Sequence, residues 1–220
     1  MVVVHRVVSD PRPGLSALAE LVEDPADLEE LIALRNLTDP LAREAARAIS
    51  LVPVADRYAG AHAAVVMAPF LWLSPSRFSP GTFGVLYTGA SMETAIRESA
   101  YHAAVKFGAS GAPPSTVPRV ALVMELDEAG HADQRRSRPG VDAAIYDPAD
   151  YRSAQRLGRE LRATGKDGIL YDSVRHAGGV CYGVFRPRSV STVRDEALNL
   201  ELGWDGTAIR SYDIITRYQL

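Results

Sequence analysis

The residues best suited to chemistry are gathered in one stretch, SRFSPGTFGVLYTGASMETAIRESAYH, which runs from Ser76 to His102 and contains Arg77, Tyr87 and Glu98. An arginine offers a planar fork for phosphate or carboxylate oxygens, a tyrosine an aromatic face, and a glutamate a fixed negative charge. Singly, each has a plainer reading: a surface arginine closing a turn, a half-buried strand aromatic, a solvated helix charge. Together they can converge on one anionic ligand bearing a ring and a sugar. Further on, Ser173 lies at the end of the run DGILYDSV, next to last before the turn Arg175-His176-Ala177-Gly178, and strand ends commonly project side chains into sites.

Competing chemistries are poorly supported. Asp172, Ser173 and His176 supply the residue types of a hydrolytic triad, but neighbours along a strand face opposite ways and no GxSxG turn exposes the serine. A serine hydrolase built on Ser173 is therefore a distant third reading. There is no GxGxxG, no HExxH and no GxxxxGK[ST], since Gly165-Lys166 is followed by Asp167. His5, His62, His102, His131 and His176 are scattered without ligand spacing, and Cys181 is the lone cysteine, so no metal is expected.

The elements that must position these residues follow from periodicity and punctuation. Arg77 lies in a loop marked by Pro80, Gly81 and Gly84; Val85 to Tyr87 reads as a short strand; and Ser91 caps a helix with Thr94 at its third position, placing Glu98 one turn before His102. Val2 to Val8 reads as a first strand, Ala64 to Met67 as another, and Arg119 to Leu126 as a strand buried on both faces. GASGAPPSTVP reads as a surface loop, and Asp147-Pro148 as the cap of a helix carrying Tyr151, Ala154, Leu157 and Leu161 that Gly165 ends. Asp167 to Val174 and Gly179 to Phe185 read as strands joined by a turn, and Tyr212 to Tyr218 as a last strand in a mixed tail. Between the first strand and Pro53, Asp24-Pro25 and Asp39-Pro40 open helices of a prelude packed on the core.

With 220 residues, 47% of them hydrophobic, the chain can bury one sizeable core. A net charge of −3 gives no basic field for nucleic acid, and the local Arg135, Arg136, Arg138 cluster reads as a solvated loop. One cysteine fits a reducing compartment, and no run has the order of a signal peptide or the length of a membrane span. The expectation is a cytoplasmic protein that binds neither membrane nor nucleic acid directly.

The Ser76–His102 pattern, with LYDSVRHAGGVCYGVF later, resembles the hallmark of the RES-domain family, toxins of bacterial toxin–antitoxin modules named for an arginine, a glutamate and a serine. Arg77 matches the family arginine, Tyr87 the tyrosine after it, Glu98 the helix glutamate and Ser173 the late serine. DRYAGAHAAVVMAPF, around Arg57, is similar to the longer subgroup with an extra helical N-terminal region, and the resemblance covers most of Ala55 to Pro187. It implies an α+β chain of ADP-ribosyltransferase-like architecture: a split β-sheet core over 55–187 and a helical extension over 10–52, within one domain spanning 1–220.

The resemblance also implies consumption of NAD without a metal. Glu98, Arg77, Tyr87 and Ser173 are the catalytic set, and Arg77, Tyr87, Ser173 and Arg57 the cofactor-binding set. Cleaving the nicotinamide–ribose bond develops positive charge on the sugar, which Glu98 answers; Arg77 suits the diphosphate, Tyr87 can stack on nicotinamide, and Ser173 supplies one orienting hydrogen bond. His102 could position Glu98 or simply pack. Transfer of ADP-ribose to a protein is preferred, because the longer subgroup includes an enzyme that modifies phosphoribosyl pyrophosphate synthetase. The alternatives are an NAD glycohydrolase or phosphorylase, and a non-catalytic nucleotide- or antitoxin-binding module. The implied partner is an antitoxin with a DNA-binding helix-turn-helix portion, and a homodimer is left open.

Overall fold

The β-branched run at the start of the chain forms β1 (Val2–Ser9), which pairs antiparallel along its whole length with β3 (Ser115–Leu126), from Val2 opposite Leu126 to Ser9 opposite Arg119. The structure, a computed structural model, describes residues 1–9, 49, 52–194 and 197–216. The helical extension expected over 10–52 therefore lies outside the described residues, apart from Ile49 and Val52. On its other side β1 meets β2 (Leu86–Gly89) at a single register pair, His5 opposite Gly89.

That one pair joins two half-sheets. Outward from β2 run β6 (Val180–Val184), β5 (Gly168–Asp172) and the short β4 (His131–Asp133), the last two parallel. Outward from β1 run β3, β8 (Leu198–Trp204) and β9 (Ile209–Ile215), with β7 (Val190–Val193) also on β3. The architecture is α+β: a mixed sheet covered by helices, as the sequence implied.

One face packs under α1 (Ala63–Leu71), whose Val66, Met67 and Phe70 meet Val4, Leu86, Leu122 and Met124. The other face has two covers. The helix α2 (Met92–Ser110) seals the β1-β3-β8 half through Ile96, Ala103, Ala121, Leu200, Leu202 and Trp204. The helix α3 (Arg152–Ala163) and the loop before β2 seal the other half through Ala154, Phe78, Ile169, Tyr171 and Phe185.

Several expectations are corrected. Ala64 to Met67 is not a strand but part of α1; a short, wholly apolar run has no period to separate a strand from a buried helix. β3 begins at Ser115, inside the expected loop, and Pro118 sits within its pairing with β8, opposite Glu201. Asp147 caps a turn, its Oδ1 accepting from the N–H groups of Ala149 and Asp150, and α3 starts only at Arg152. Within the tail the last strand runs over Ile209–Ile215, the expected positions 217 and 218 lying outside the described residues, and β7 and β8 come as additions.

Candidate active site

The loop that carries Arg77 is pinned at several points. Phe78 is fully buried edge-on against Tyr171, with ring centroids 4.9 Å apart. The buried Ser79 hydroxyl donates to the Phe83 carbonyl at 2.6 Å and accepts from the Gly81 N–H, while the Ser76 N–H donates to the Ser79 carbonyl at 2.7 Å. The helix α3 lies so close that a Cβ on Gly158 would sit 2.0 Å from the Phe78 carbonyl oxygen. Arg77 thereby gains fixed surroundings: Nη1 donates to the carbonyls of Ile145 (3.1 Å) and Asp147 (2.9 Å), and the guanidinium lies 4.5 Å from the centre of the Tyr151 ring. Those bonds use one of its three nitrogens and leave the fork able to bind an anion.

Tyr87 of β2 ties the strand to that loop. Its hydroxyl donates to Ser76 Oγ at 2.9 Å and accepts from the Phe78 N–H at 3.0 Å, and burial pushes its pKa up to about 12. The phenol is neutral at physiological pH and its polar end is occupied, so the ring is what it can offer a ligand.

Glu98, on α2, is held from the β5–β6 connection. Ser173 Oγ donates to Glu98 Oε1 at 2.5 Å and itself accepts from the N–H groups of Arg175 (3.1 Å) and His176 (2.9 Å). The two backbone donors orient the hydroxyl so that its proton points at the carboxylate. Cys181 Sγ lies 3.8 Å from the same oxygen, and burial, with the Glu98 charge second, pushes the thiol up to about 12. A second staple joins the same elements: His176 Nδ1 lies 3.0 Å from Thr94 Oγ1, which is bonded to the helix-capping Ser91 hydroxyl. A Cβ on Gly179 would fall 2.7 Å from His176 Nδ1 and 2.8 Å from Thr94 Oγ1, so the turn closes this tightly only with glycine there.

These partnerships end the triad reading. Ser173 donates to Glu98, His176 Nδ1 is engaged by Thr94, and Asp172 Oδ2 accepts from the Arg136 N–H at 2.6 Å. The three do not form a relay.

Arg77, Tyr87 and Glu98 open onto one cavity of about 710 Å³ where the covers of the sheet part. Among the described residues Glu98 is its one acidic wall residue, against the cations Arg6, Arg77, Lys106, Arg119 and Arg175. Ser173, 5% exposed, stands behind Glu98 rather than on the wall, so it positions the carboxylate instead of meeting a ligand. His102 is on the wall, edge-on to Tyr101, without a hydrogen bond to Glu98 among the described residues. Arg57 is not brought to the cavity: its Nε donates to the Val52 carbonyl at 3.0 Å, closing a local turn. Thr94, His176 and Cys181 support Glu98 without a sequence signal, since nothing in their spacing announces a contact across α2, β5 and β6. Among the described residues no three His, Cys, Asp or Glu side chains gather as a metal site.

Among known proteins, the family model described as RES domain matches residues 54–205. A chain from the crystal structure of the M. tuberculosis MbcT-MbcA toxin-antitoxin complex is similar at 15% identity and a TM-score of 0.39, over 64% of this chain and 72% of that one. No curated protein matches. The family match spans well over half of the residues and takes in Arg77, Tyr87, Glu98 and Ser173, and the chain therefore belongs to the RES domain family.

Proposed function

We propose that the cavity binds NAD, that the chain cleaves its nicotinamide–ribose bond, and that the ADP-ribose passes to a protein acceptor. The observation that carries this reading is Glu98, the one wall carboxylate among the described residues, fixed by Ser173 at 2.5 Å in a cavity whose wall also presents five cations and the Tyr87 ring. Nicotinamide leaves with the electron pair of the C–N bond, the ribose takes on oxocarbenium character, and the acceptor closes on C1′ and gives up its proton. A preorganised carboxylate stabilises that charge without reorganising. Arg77 receives phosphate oxygens, and the Tyr87 ring stacks on the cationic nicotinamide.

Membership of the RES domain family supports a role as the toxin of a toxin–antitoxin module with a cognate antitoxin. The resemblance of the stretch around Arg57 to the longer subgroup makes phosphoribosyl pyrophosphate synthetase the first acceptor to try, and an antitoxin with a helix-turn-helix portion the partner to look for. Water or phosphate as acceptor would leave every wall residue in the same role.

The test is incubation of purified protein with NAD labelled in its ADP-ribose half, with and without cell lysate. Nicotinamide release with label on protein is expected. Release with free ADP-ribose alone would make the chain a glycohydrolase, and no release at all would leave a binding module.

A further inference from the structure

Arg6, at the junction of the two half-sheets, has no carboxylate partner among the described residues. Beyond the single pair His5–Gly89, β1 and β2 are not joined, and continuing the antiparallel register sets Arg6 opposite Thr88. Both side chains belong to the pleat of Val4 and Leu86, on the face covered by α1. Arg6 Nη1 reaches across the gap to the Tyr87 carbonyl at 2.9 Å, but its Nε is buried without a partner, and so is Thr88 Oγ1. Thr88 is 5% exposed, and both residues line the cavity that holds Glu98. Arg6 makes no ion pair with a carboxylate among the described residues, and burial lowers its pKa to about 10. Arg6 is half-buried, with its Nε the atom closed off from solvent, and unsatisfied buried donors are rare enough to call for a cause.

We infer that Arg6 and Thr88 form a phosphate-binding subsite that takes the diphosphate of a nucleotide ligand. The guanidinium supplies Nε–H and its second amino group, the threonine hydroxyl a further donor, and the anion supplies the missing counter-charge. Arg77 reaches the same cavity from the loop before β2, so the two arginines can hold the diphosphate from two sides while the sugar to be cleaved faces Glu98. β1 precedes the stretch that matches the family model, so Arg6 lies outside it. The inference rests on the NAD reading for the ligand's identity, but the subsite is defined by its own unpaired donors.

The test compares wild type, Arg6→Gln and Thr88→Val by calorimetry with ADP-ribose, inorganic pyrophosphate and nicotinamide riboside, which lacks a phosphate. Arg6→Gln should weaken ADP-ribose and pyrophosphate roughly tenfold or more, and Thr88→Val about threefold to tenfold, with nicotinamide riboside unchanged in both. Equal weakening of all three probes with a lowered melting temperature would make Arg6 a brace between half-sheets and overturn the inference. So would ADP-ribose binding that is indifferent to both folded variants, and that result leaves the NAD reading standing. Arg6-dependent pyrophosphate binding in a protein that ignores ADP-ribose would uphold the subsite and remove NAD as its ligand. If Arg6→Gln does not fold, Thr88→Val decides.

Discussion

Replacing Ser173 by alanine separates the positioning of Glu98 from the binding of ligand. The hydroxyl donates to Glu98 Oε1 at 2.5 Å and is not on the cavity wall, so its loss frees the carboxylate without removing a ligand contact. A charge-assisted hydrogen bond contributes about 1.5–3 kcal/mol. If most of that acts where positive charge develops on ribose, kcat for nicotinamide release falls roughly 10- to 150-fold while KM for NAD stays within about twofold. The same hydroxyl accepts from the N–H groups of Arg175 and His176, so the turn loses two bonds and some stability as well. Rates are therefore read at a temperature well below the melting point of the variant, by chromatographic quantitation of nicotinamide. A variant that keeps wild-type kcat, or that loses only KM, would refute the assignment of Ser173 as the group that orients Glu98.

Three further outcomes follow from the surroundings. Tyr87→Phe leaves the buried Phe78 N–H without its acceptor and should cost about 1–3 kcal/mol in urea unfolding at neutral pH. The folded phenol titrates near 12 against an ordinary 10, so the unfolded state loses its proton first; wild type should lose ~2–3 kcal/mol relative to Tyr87→Phe as pH rises from 10 to 12, and parallel curves would contradict it. Cys181, 2% exposed with its thiol raised to about 12, should resist iodoacetamide at pH 8 in the folded protein and react on denaturation; rapid native labelling would show it exposed. Gly158→Ala forces a Cβ against the Phe78 carbonyl, a backbone atom that cannot swing aside, and should cost about 1–3 kcal/mol while raising KM for NAD through displacement of the Arg77 loop. An unchanged melting temperature would contradict that packing.

Local signals carried much of the structure in the sequence. Ser91 does cap α2, accepting from the Thr94 N–H, because a cap needs only a short side chain at the right offset. The β5–β6 pair and its turn were legible for the same reason. The strand β8 is also written in plain alternation, with Leu200, Leu202 and Trp204 buried, yet no turn signal sets it off from the surrounding tail. α1 was illegible in principle, since a uniformly apolar run fits either element. The site divides along the same line. Arg77, Tyr87 and Glu98 stand close in sequence on a loop, strand and helix in series, and that order suffices to aim them at one cavity. The contact of Ser173 with Glu98 spans 75 positions and exists only because β6 pairs with β2, placing the end of β5 beside α2. Arg57 bonds within its own loop and does not line the cavity, a local contact that no spacing in the sequence announces.

The proposed role of Glu98, answering the charge that develops when the nicotinamide–ribose bond breaks, is measured most directly by the single-turnover rate of nicotinamide release in wild type and in Glu98→Gln, an isostere without the charge. The rate should fall roughly 10²- to 10³-fold, with NAD affinity nearly unchanged. Equal rates in the two proteins, or no release by either, would contradict it.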